Sequence, residues 1–425
     1  MRGGDDDPDN HDVIDIPPAD YVIYSGCARS SKHIEQIKDA MDIYVGQQAI
    51  KGLFLMGCII DIDKRYAGEP FDDHLRRESK LNENCTIERI GVSGECQFGL
   101  MTGDTYHIES GCLNGCPYCM MHYVGNRKPR SADRNRILKD LQEAYDNGLR
   151  ILKITGENAA LFGVDVDGKQ HLHELIWDIS KIGFTSVFIN NIAPQNIYPE
   201  LVEALKMAPH IDGVMMSLET ADEGILKSVG RSETADVISD AMREIRTEKP
   251  WFYAEVSMVT GLPGETEETH QYTKKYLRDN FMIVGNANAL HSHESLPVSK
   301  LPNQVDRETA ERRRHDLYDM NRELIENYIR TLGEHNISMP LTVEEITDAT
   351  DDHGDFKRIR FNSPFEFGMH TSTTNESGWQ VGDIIQFFFR DARVYQYMDY
   401  TERTKFHIAG YAERLDPNIN GQSAV

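Results

Sequence analysis

The 425-residue sequence contains no uninterrupted apolar run of about 18 residues, so a transmembrane helix is not expected. Basic residues are few: 45 Lys and Arg stand against 69 Asp and Glu, giving a formal net charge of −24. This argues against broad, nonspecific binding to nucleic acid, because Lys and Arg hold phosphates, although a local basic patch is compatible with it. The first ten residues are acidic and polar, unlike a secretory signal. A cytoplasmic location without membrane attachment is therefore expected.

Cysteine is also sparse. The seven cysteines are at positions 27, 58, 85, 96, 112, 116 and 119, and none precedes Cys27. An odd count in a long chain without a recognisable signal is unlike a secreted disulfide framework. In a reducing compartment, clustered cysteines more often bind metal or take part in catalysis.

The order of apolar segments predicts an α/β fold: a partial parallel (β/α) barrel with a small N-terminal α/β domain and a small C-terminal β-barrel. We expect an acidic lead-in at 1–19 and domains at 20–100, 101–340 and 341–425. Strands at 21–24 and 53–56 with a helix at 30–44 indicate a small parallel sheet. The barrel is predicted from strands at 149–154, 186–189, 213–218 and 252–259, and from helices at 136–147, 172–182, 198–207, 235–247 and 267–278.

One long charged helix at 307–332 is expected to close the barrel domain. Beyond it, short β-type runs such as 384–389 lie between turn signals at 375–378 and 381–383. This pattern is typical of a small all-β barrel.

The strongest chemical signal is the segment from Gly111 to Cys119. Its three thiolates, Cys112, Cys116 and Cys119, can hold one side of an iron–sulfur cube. A structural zinc site normally needs a fourth Cys or His, which His122 could supply. Three ligands with a fourth iron left open suit a cluster that binds a substrate or cofactor directly.

This C-x3-C-x2-C run, with Tyr118 before the last Cys, resembles the radical S-adenosylmethionine (SAM) superfamily. The resemblance implies a [4Fe–4S] cluster on Cys112, Cys116 and Cys119, whose unique iron chelates SAM, with Tyr118 in the cofactor site. It also implies a 5′-deoxyadenosyl radical that abstracts hydrogen, and an electron donor such as flavodoxin or ferredoxin. The cofactor carries the difficult chemistry, while the protein orients it and excludes water.

Later strand ends fit this resemblance. Gly156 and Glu157 follow a strand where the superfamily has a Gly-Gly-Glu-like segment that holds the cofactor's amino group; a plain tight turn is the alternative. Function in barrel enzymes is placed at the carboxyl ends of strands. Asn190 and Asn191 end the next strand and are expected at the same rim.

Four further positions complete the predicted cofactor site. Ser217 and Glu219 end another strand and could hold ribose hydroxyls. Arg231 could pair with the cofactor carboxylate, or be a solvated charge at a helix end. Gly261 opens a Gly/Pro turn that the superfamily places behind the adenine, and a plain loop is the alternative.

The resemblance narrows to the methylthiotransferases over roughly residues 20–416. It rests on the segments 121–131, 154–165 and 261–268, and on 381–384, which resembles a TRAM β-barrel. The family's N-terminal domain carries a second [4Fe–4S] cluster that handles sulfur. Cys27 and Cys58 resemble its second and third cysteine ligands, but no cysteine stands where the first is expected. Cys85 or Cys96 could replace it; otherwise the second cluster is absent or altered.

The leading hypothesis is a radical SAM methylthiotransferase acting on a protein or peptide. A tRNA substrate is possible, since 127–136 could form part of a basic face. The alternative is a diverged radical SAM enzyme without sulfur insertion that modifies a peptide or small metabolite. The third reading is a non-catalytic, zinc-containing binding module.

Overall fold

A computed structural model describes residues 21–25, 51–56, 70–78, 84–89, 99–119, 128–231, 233–290, 296–351, 354–361, 368–373, 378–398 and 404–414. Among these residues, no helix is both long and apolar enough to cross a bilayer.

The N-terminal region contains a three-stranded parallel sheet in the order β1-β2-β3. Its strands are β1 (Tyr21–Ser25), β2 (Gly52–Met56) and β3 (Thr86–Arg89), and helix α1 (Phe71–Glu78) precedes β3. The predicted parallel pairing of the first two strands is confirmed. β3 was missed because its sequence, Thr-Ile-Glu-Arg, is short and largely polar. The helix expected at 30–44 lies outside the described residues.

The central unit is an eight-stranded sheet in the order β11-β10-β9-β8-β7-β5-β4, with β6 paired to β5. The strands are β4 (Leu100–Thr102), β5 (Thr105–Ser110), β6 (Arg130–Ser131), β7 (Ile151–Gly156), β8 (Ser186–Ile192), β9 (Ile211–Glu219), β10 (Tyr253–Thr260) and β11 (Ile283–Ala289). Every pair from β5 through β11 along this path is parallel, apart from the β6 side branch. The predicted parallel part-barrel is confirmed. β11 was not predicted, because Gly, Asn and Ala favour strands little.

Helices cover this sheet: α2 (Arg134–Asp146), α3 (Val164–Asp167), α4 (Leu172–Ile179), α5 (Pro199–Met207), α6 (Glu223–Ser228), α7 (Thr234–Ile245) and α8 (Glu267–Asp279), with short 3-10 turns at Ala159–Leu161, Pro194–Asn196 and Pro297–Lys300. α4 shows why they dock. Its buried residues Leu172, Leu175, Ile176 and Ile179 follow the spacing of one helix face. Local signals set the helix starts, such as Pro199 in the first turn of α5 and the capping box of Thr266 and Thr269 on α8.

The single helix expected at 307–332 is wrong in detail: it is two helices, α9 (Arg307–Asp319) and α10 (Asn321–Glu334). The division coincides with a side chain that binds a neighbouring strand. The buried Asn321 amide accepts the Val284 N–H at 2.9 Å and donates to the Val284 C=O at 2.8 Å. The helix junction is thereby fixed to β11.

The C-terminal strands form a closed barrel in the order β12-β13-β14-β16-β15. They are β12 (Ser338–Asp351), β13 (Gly354–Phe361), β14 (Gly368–Thr373), β15 (Ile384–Met398) and β16 (Thr404–Arg414). Edge-to-face contacts of Phe387 with Phe361 and Phe389 fill its core. The expected small β-barrel is confirmed, including the turn before β15, where Gly382 has φ +95°. The other turn signal falls largely outside the described residues.

Candidate active site

The three clustered cysteines lie on the loop that follows β5, at the carboxyl edge of the parallel sheet. Cys116 is buried, and Cys112 and Cys119 are half-buried. Gly111 opens the loop with φ +99°, and a Cβ there would lie 2.3 Å from the Lys128 carbonyl oxygen. The loop can therefore close on itself only because residue 111 is glycine.

A single bound zinc ion is the alternative interpretation of these cysteines. Within the part of the chain that the structure describes, no three His, Cys, Asp or Glu side chains are grouped tightly enough to hold one metal ion. A mononuclear zinc site needs its ligands to converge on one point at about 2.0–2.3 Å. A cubane spreads its thiolates over separate irons, so it does not impose this convergence. His122, the alternative zinc ligand, lies outside the described residues.

Acidic side chains surround the start of the loop. The Gly111 N–H donates to Glu157 Oε2 at 3.0 Å, so Glu157 at the end of β7 contacts the cysteine loop directly. Buried Glu109, on β5, accepts the Asn158 N–H. A Cβ on Gly156 would lie 2.2 Å from Glu109 Oε1, which is why a glycine is required there. Burial raises the pKa of the Cys112 thiol, and Glu109 and Glu157 add to the rise.

Arg231 joins three elements near Cys116. It follows the left-handed Gly230 after α6, and its side chain is 4% exposed. Its guanidinium donates to the Ser217 carbonyl, lies 3.5 Å from Cys116 Sγ and lies 3.7 Å from Glu219 Oε1. The alternative of a solvated helix-end charge is therefore wrong. The structure brings Ser217, Glu219 and Arg231 together with the cysteine loop.

Tyr118 lies within this group. Burial raises the pKa of its hydroxyl well above the usual value, and the charge of Glu219 raises it further. Burial also raises the pKa of Glu219, while the positive charge of Arg231 opposes the rise. The Tyr118 hydroxyl is near Cys116 and Glu219, yet among the described residues it makes no hydrogen bond of acceptable geometry.

The two asparagines of β8 differ in role. Asn191 has φ +60°, and its amide donates to the Gly156 C=O at 2.8 Å and to Thr155 Oγ1 at 3.2 Å. It therefore joins β8 to β7. Asn190 Oδ1 is buried without a hydrogen-bond partner among the described residues. Asn190 therefore has a buried side-chain oxygen that is available to a ligand.

The turn after β10 is held by a buried network that sequence reasoning missed. Gly261 has φ +81°, a Cβ there would lie 2.5 Å from the Cβ of Ala310, and its N–H donates to Glu265 Oε2. Glu265 in turn accepts from Arg313 Nη1 at 3.0 Å. Leu262, the next residue, packs with Ile225 and Val229 and against Tyr118. The only sequence signal was the position of Glu265 in the turn motif.

Comparison with known proteins decides the family. Residues 106–277, which span β5 through α8, match the model described as the Radical SAM superfamily. Residues 106–277 belong to the radical SAM superfamily. A ribosomal protein uS12 methylthiotransferase of Clostridium botulinum (strain Hall) is 24% identical over 384 residues, covering 86% of this chain and 78% of that relative. A uS12 methylthiotransferase of Heliobacterium modesticaldum is 30% identical over 220 residues, covering 51% of this chain and 47% of the relative.

Among solved structures, the radical SAM methyltransferase TsrM from Kitasatospora setae, with cobalamin and a [4Fe–4S] cluster bound, matches with a TM-score of 0.41. The identity is 12%, covering 63% of this chain and 69% of that one. A likeness of this size supports no functional argument.

Membership of the superfamily implies a [4Fe–4S] cluster and SAM, and the residues of this radical SAM enzyme fit both. Cys112, Cys116 and Cys119 form the expected donor set. Three buried polar atoms at the same edge have no hydrogen-bond partner among the described residues: Tyr118 Oη, Asn190 Oδ1 and Arg231 Nε. Buried polar atoms are almost always satisfied, so a polar ligand is expected to complete this edge.

The candidate ligands of a second cluster are less complete. Cys27, Cys58 and Cys96 lie outside the described residues. Cys85 is buried, immediately precedes β3, and its Sγ faces the Thr86 carbonyl at 3.6 Å. It therefore lies at the amino edge of the small sheet, whereas Ser25 and Met56 end β1 and β2 at the opposite, carboxyl edge. Cys85 is thus placed away from the carboxyl edge of this sheet.

Proposed function

We propose that this radical SAM enzyme is of the methylthiotransferase type and inserts sulfur, as a methylthio group, into an unactivated C–H bond of a protein or peptide. The observation that carries the proposal is the pairing of Ser25 with Met56 at the ends of the parallel strands β1 and β2. Cys27 and Cys58 each follow two positions later in the sequence. Two thiols thus follow the carboxyl ends of neighbouring strands, as a second cluster requires.

Two further facts support the proposal. The similarity to uS12 methylthiotransferases extends over most of the chain, beyond the radical SAM domain itself. The net charge of −24 favours a protein or peptide over tRNA, because RNA phosphates are bound by basic residues.

When bound, the cluster and SAM supply the electron and the carbon radical that the superfamily uses to break a C–H bond. Cys112, Cys116 and Cys119 would hold the cluster by their thiolates. Arg231 would supply a positive charge for the SAM carboxylate, and Glu157 an acceptor for its amino group. The buried Tyr118 hydroxyl would supply a hydrogen-bond donor.

Iron counting after anaerobic reconstitution tests the proposal. We expect about eight irons per wild-type chain, as for two [4Fe–4S] clusters. Cys27→Ala and Cys58→Ala should each leave about four irons and retain 5′-deoxyadenosine formation. Cys85→Ala is the matched control and should keep the wild-type iron content. About four irons in the wild type, unchanged by Cys27→Ala and Cys58→Ala, would rule out sulfur insertion by a second cluster.

A second candidate is a radical SAM enzyme without sulfur insertion, and one observation favours it: residues 1–26 contain no cysteine. Mass spectrometry of reacted substrates separates the two functions. A methylthio gain on a peptide supports the first, the same gain on tRNA moves the substrate to RNA, and modification without added sulfur supports the second.

A further inference from the structure

The described parts of the cysteine loop, residues 111–119 and 128–129, make few backbone hydrogen bonds to the rest of the fold; one runs from the Val298 N–H to the Pro117 carbonyl at 3.1 Å. β5 and β6 pair only at Glu109 with Ser131 and at Ser110 with Arg130. One more backbone bond, from the Ala132 N–H to the Ile108 carbonyl at 2.8 Å, continues this ladder. A ladder of this length is marginal by itself. Side-chain contacts must therefore help to fix the two ends of the loop.

Both ends are held by carboxylates from one segment, the connection that follows β7. At the entry, Gly111 donates its N–H to Glu157, as described above. At the exit, Asp165 accepts twice from Ser131: the N–H at 3.0 Å to Oδ2 and the hydroxyl at 2.6 Å to Oδ1. Hydrogen bonds to a carboxylate are stronger than neutral ones, and two from one residue also fix its orientation.

Asp165 is exposed to solvent but lies in a sterically constrained turn. It lies in α3, a single turn bounded by Gly163 at φ +91° and Gly168 at φ +82°. The Gly163 N–H donates to Ser131 Oγ at 2.8 Å, so the Ser131 hydroxyl both accepts from α3 and donates to it. A Cβ on Gly163 would lie 2.5 Å from the His171 ring, which leaves this turn little freedom.

We propose that Asp165 is a positioning residue for the cluster: through Ser131 it clamps the exit of the cysteine loop to the segment that carries Glu157. The clamp keeps Cys112, Cys116 and Cys119 in the arrangement that binds and retains iron. This inference rests on the cluster that the superfamily implies and does not depend on sulfur insertion.

Trypsin provides a direct test on the iron-free protein, because the Arg130–Ser131 peptide bond contains the N–H that Asp165 holds. Cleavage there requires local opening of the clamp. Asp165→Ala should raise the rate of appearance of the fragment that starts at Ser131 about 5- to 30-fold, the effect of losing interactions of this size. Asp165→Asn, which keeps one acceptor, should lie between the wild type and Asp165→Ala.

The matched control is Asp167→Ala. Asp167 lies on the same turn, but its carboxylate binds His171 and the Lys169 N–H instead of Ser131. It should leave the cleavage rate unchanged. The double variant Ser131→Ala/Asp165→Ala should be cut no faster than Asp165→Ala, since both changes remove the same interaction.

The iron-loaded protein provides the second readout. Asp165→Ala should lose iron to a chelator several-fold faster than the wild type and show an altered electron paramagnetic resonance spectrum of the reduced cluster, with a nearly unchanged thermal midpoint. Wild-type rates of both cleavage and iron loss in Asp165→Ala, or equal increases in Asp167→Ala, would overturn the proposal. If Cys27→Ala and Cys58→Ala leave the iron content unchanged, the proposed function fails while the trypsin result still decides the clamp.

Discussion

Two buried Arg–Glu pairs lie beneath the carboxyl edge of the sheet, and they are built differently. Arg313 and Glu265 make a direct hydrogen bond at 3.0 Å, and the same carboxylate accepts the Gly261 N–H. Arg231 and Glu219 are 3.7 Å apart, and Arg231 instead contacts the Ser217 carbonyl and Cys116 Sγ. In the first pair the two side chains hydrogen-bond each other, whereas in the second the guanidinium lies against the cysteine loop.

The difference suggests that, at one edge of the sheet, the Arg313 pair stabilises the fold and the Arg231 pair serves the chemistry. A buried charge that has a short contact with its partner fixes the two elements that carry the pair. A buried charge that is only loosely paired is poised to bind a ligand of opposite charge. We therefore expect loss of Arg313 to affect stability, and loss of Arg231 to affect chemistry.

The largest effect is expected for Arg231→Met. Removing the buried positive charge beside Cys116 should lower 5′-deoxyadenosine formation by about 10²- to 10³-fold, the scale of losing one preorganised electrostatic contact. Stability should fall less than for Arg313→Met, because Arg231 and Glu219 are 3.7 Å apart and lack the short hydrogen bond that joins Arg313 to Glu265. Arg231→Lys keeps the positive charge but loses the planar guanidinium. Its rate of 5′-deoxyadenosine formation should lie between those of the wild type and Arg231→Met. If Arg231→Met lost more stability than activity, the contrast between the Arg231 and Arg313 pairs would be wrong.

Arg313→Met should produce the opposite pattern. It leaves Glu265 buried without its cation and should destabilise the fold by about 3–5 kcal/mol. Cleavage of SAM per folded molecule should stay within a few-fold of the wild type. Arg312→Met, at an exposed neighbouring position, is the control and should change stability by no more than about 0.5 kcal/mol. Denaturant unfolding measures both variants.

The smallest effect concerns Asp316, whose carboxylate binds His270 and Lys274. His270 in turn lies 3.9 Å from Glu265 of the Arg313 pair. Burial raises the pKa of Asp316, but the hydrogen bonds from Lys274 and His270 outweigh it and leave the pKa lowered. A lowered pKa adds stability above the unfolded value near 4, and that stability is lost as the pH falls through the folded value.

Thermal unfolding between pH 5 and 3 should therefore show a smaller acid loss for Asp316→Asn than for the wild type, by less than about 1 kcal/mol. The difference between the two proteins isolates Asp316, because Glu219 and Glu265 titrate in both. If the two proteins lost the same stability between pH 5 and 3, Asp316 would not contribute to stability through its lowered pKa.

The sequence predicted those parts of the site that local pattern determines. The spacing of Cys112, Cys116 and Cys119 and the strand before Gly156 are visible within a few residues. Contacts between distant positions were not visible. Asp165 and Ser131 meet across 34 positions, and Glu265 and Arg313 across 48. A local sequence pattern does not predict which carboxylate contacts which donor in the folded protein.

Alternatives weighed from the sequence were separated by burial. From the sequence alone, Arg231 fitted a cofactor-binding role and a solvated charge equally well. Only its packing against β9 and the cysteine loop shows that it is buried. Asn190 and Asn191 look alike in sequence, yet only Asn191 joins two strands. The break between α9 and α10 coincides with Asn321 binding the backbone of β11, a strand whose composition does not predict it.

The central claim is that the loop after β5 carries the cluster that cleaves SAM. The most direct test compares 5′-deoxyadenosine formation by reconstituted wild-type protein and Cys116→Ala under strong reductant. We predict formation by the wild type and none above background by Cys116→Ala, together with loss of about four irons per chain. Formation at the parent rate by Cys116→Ala, or unchanged iron content, would contradict the account.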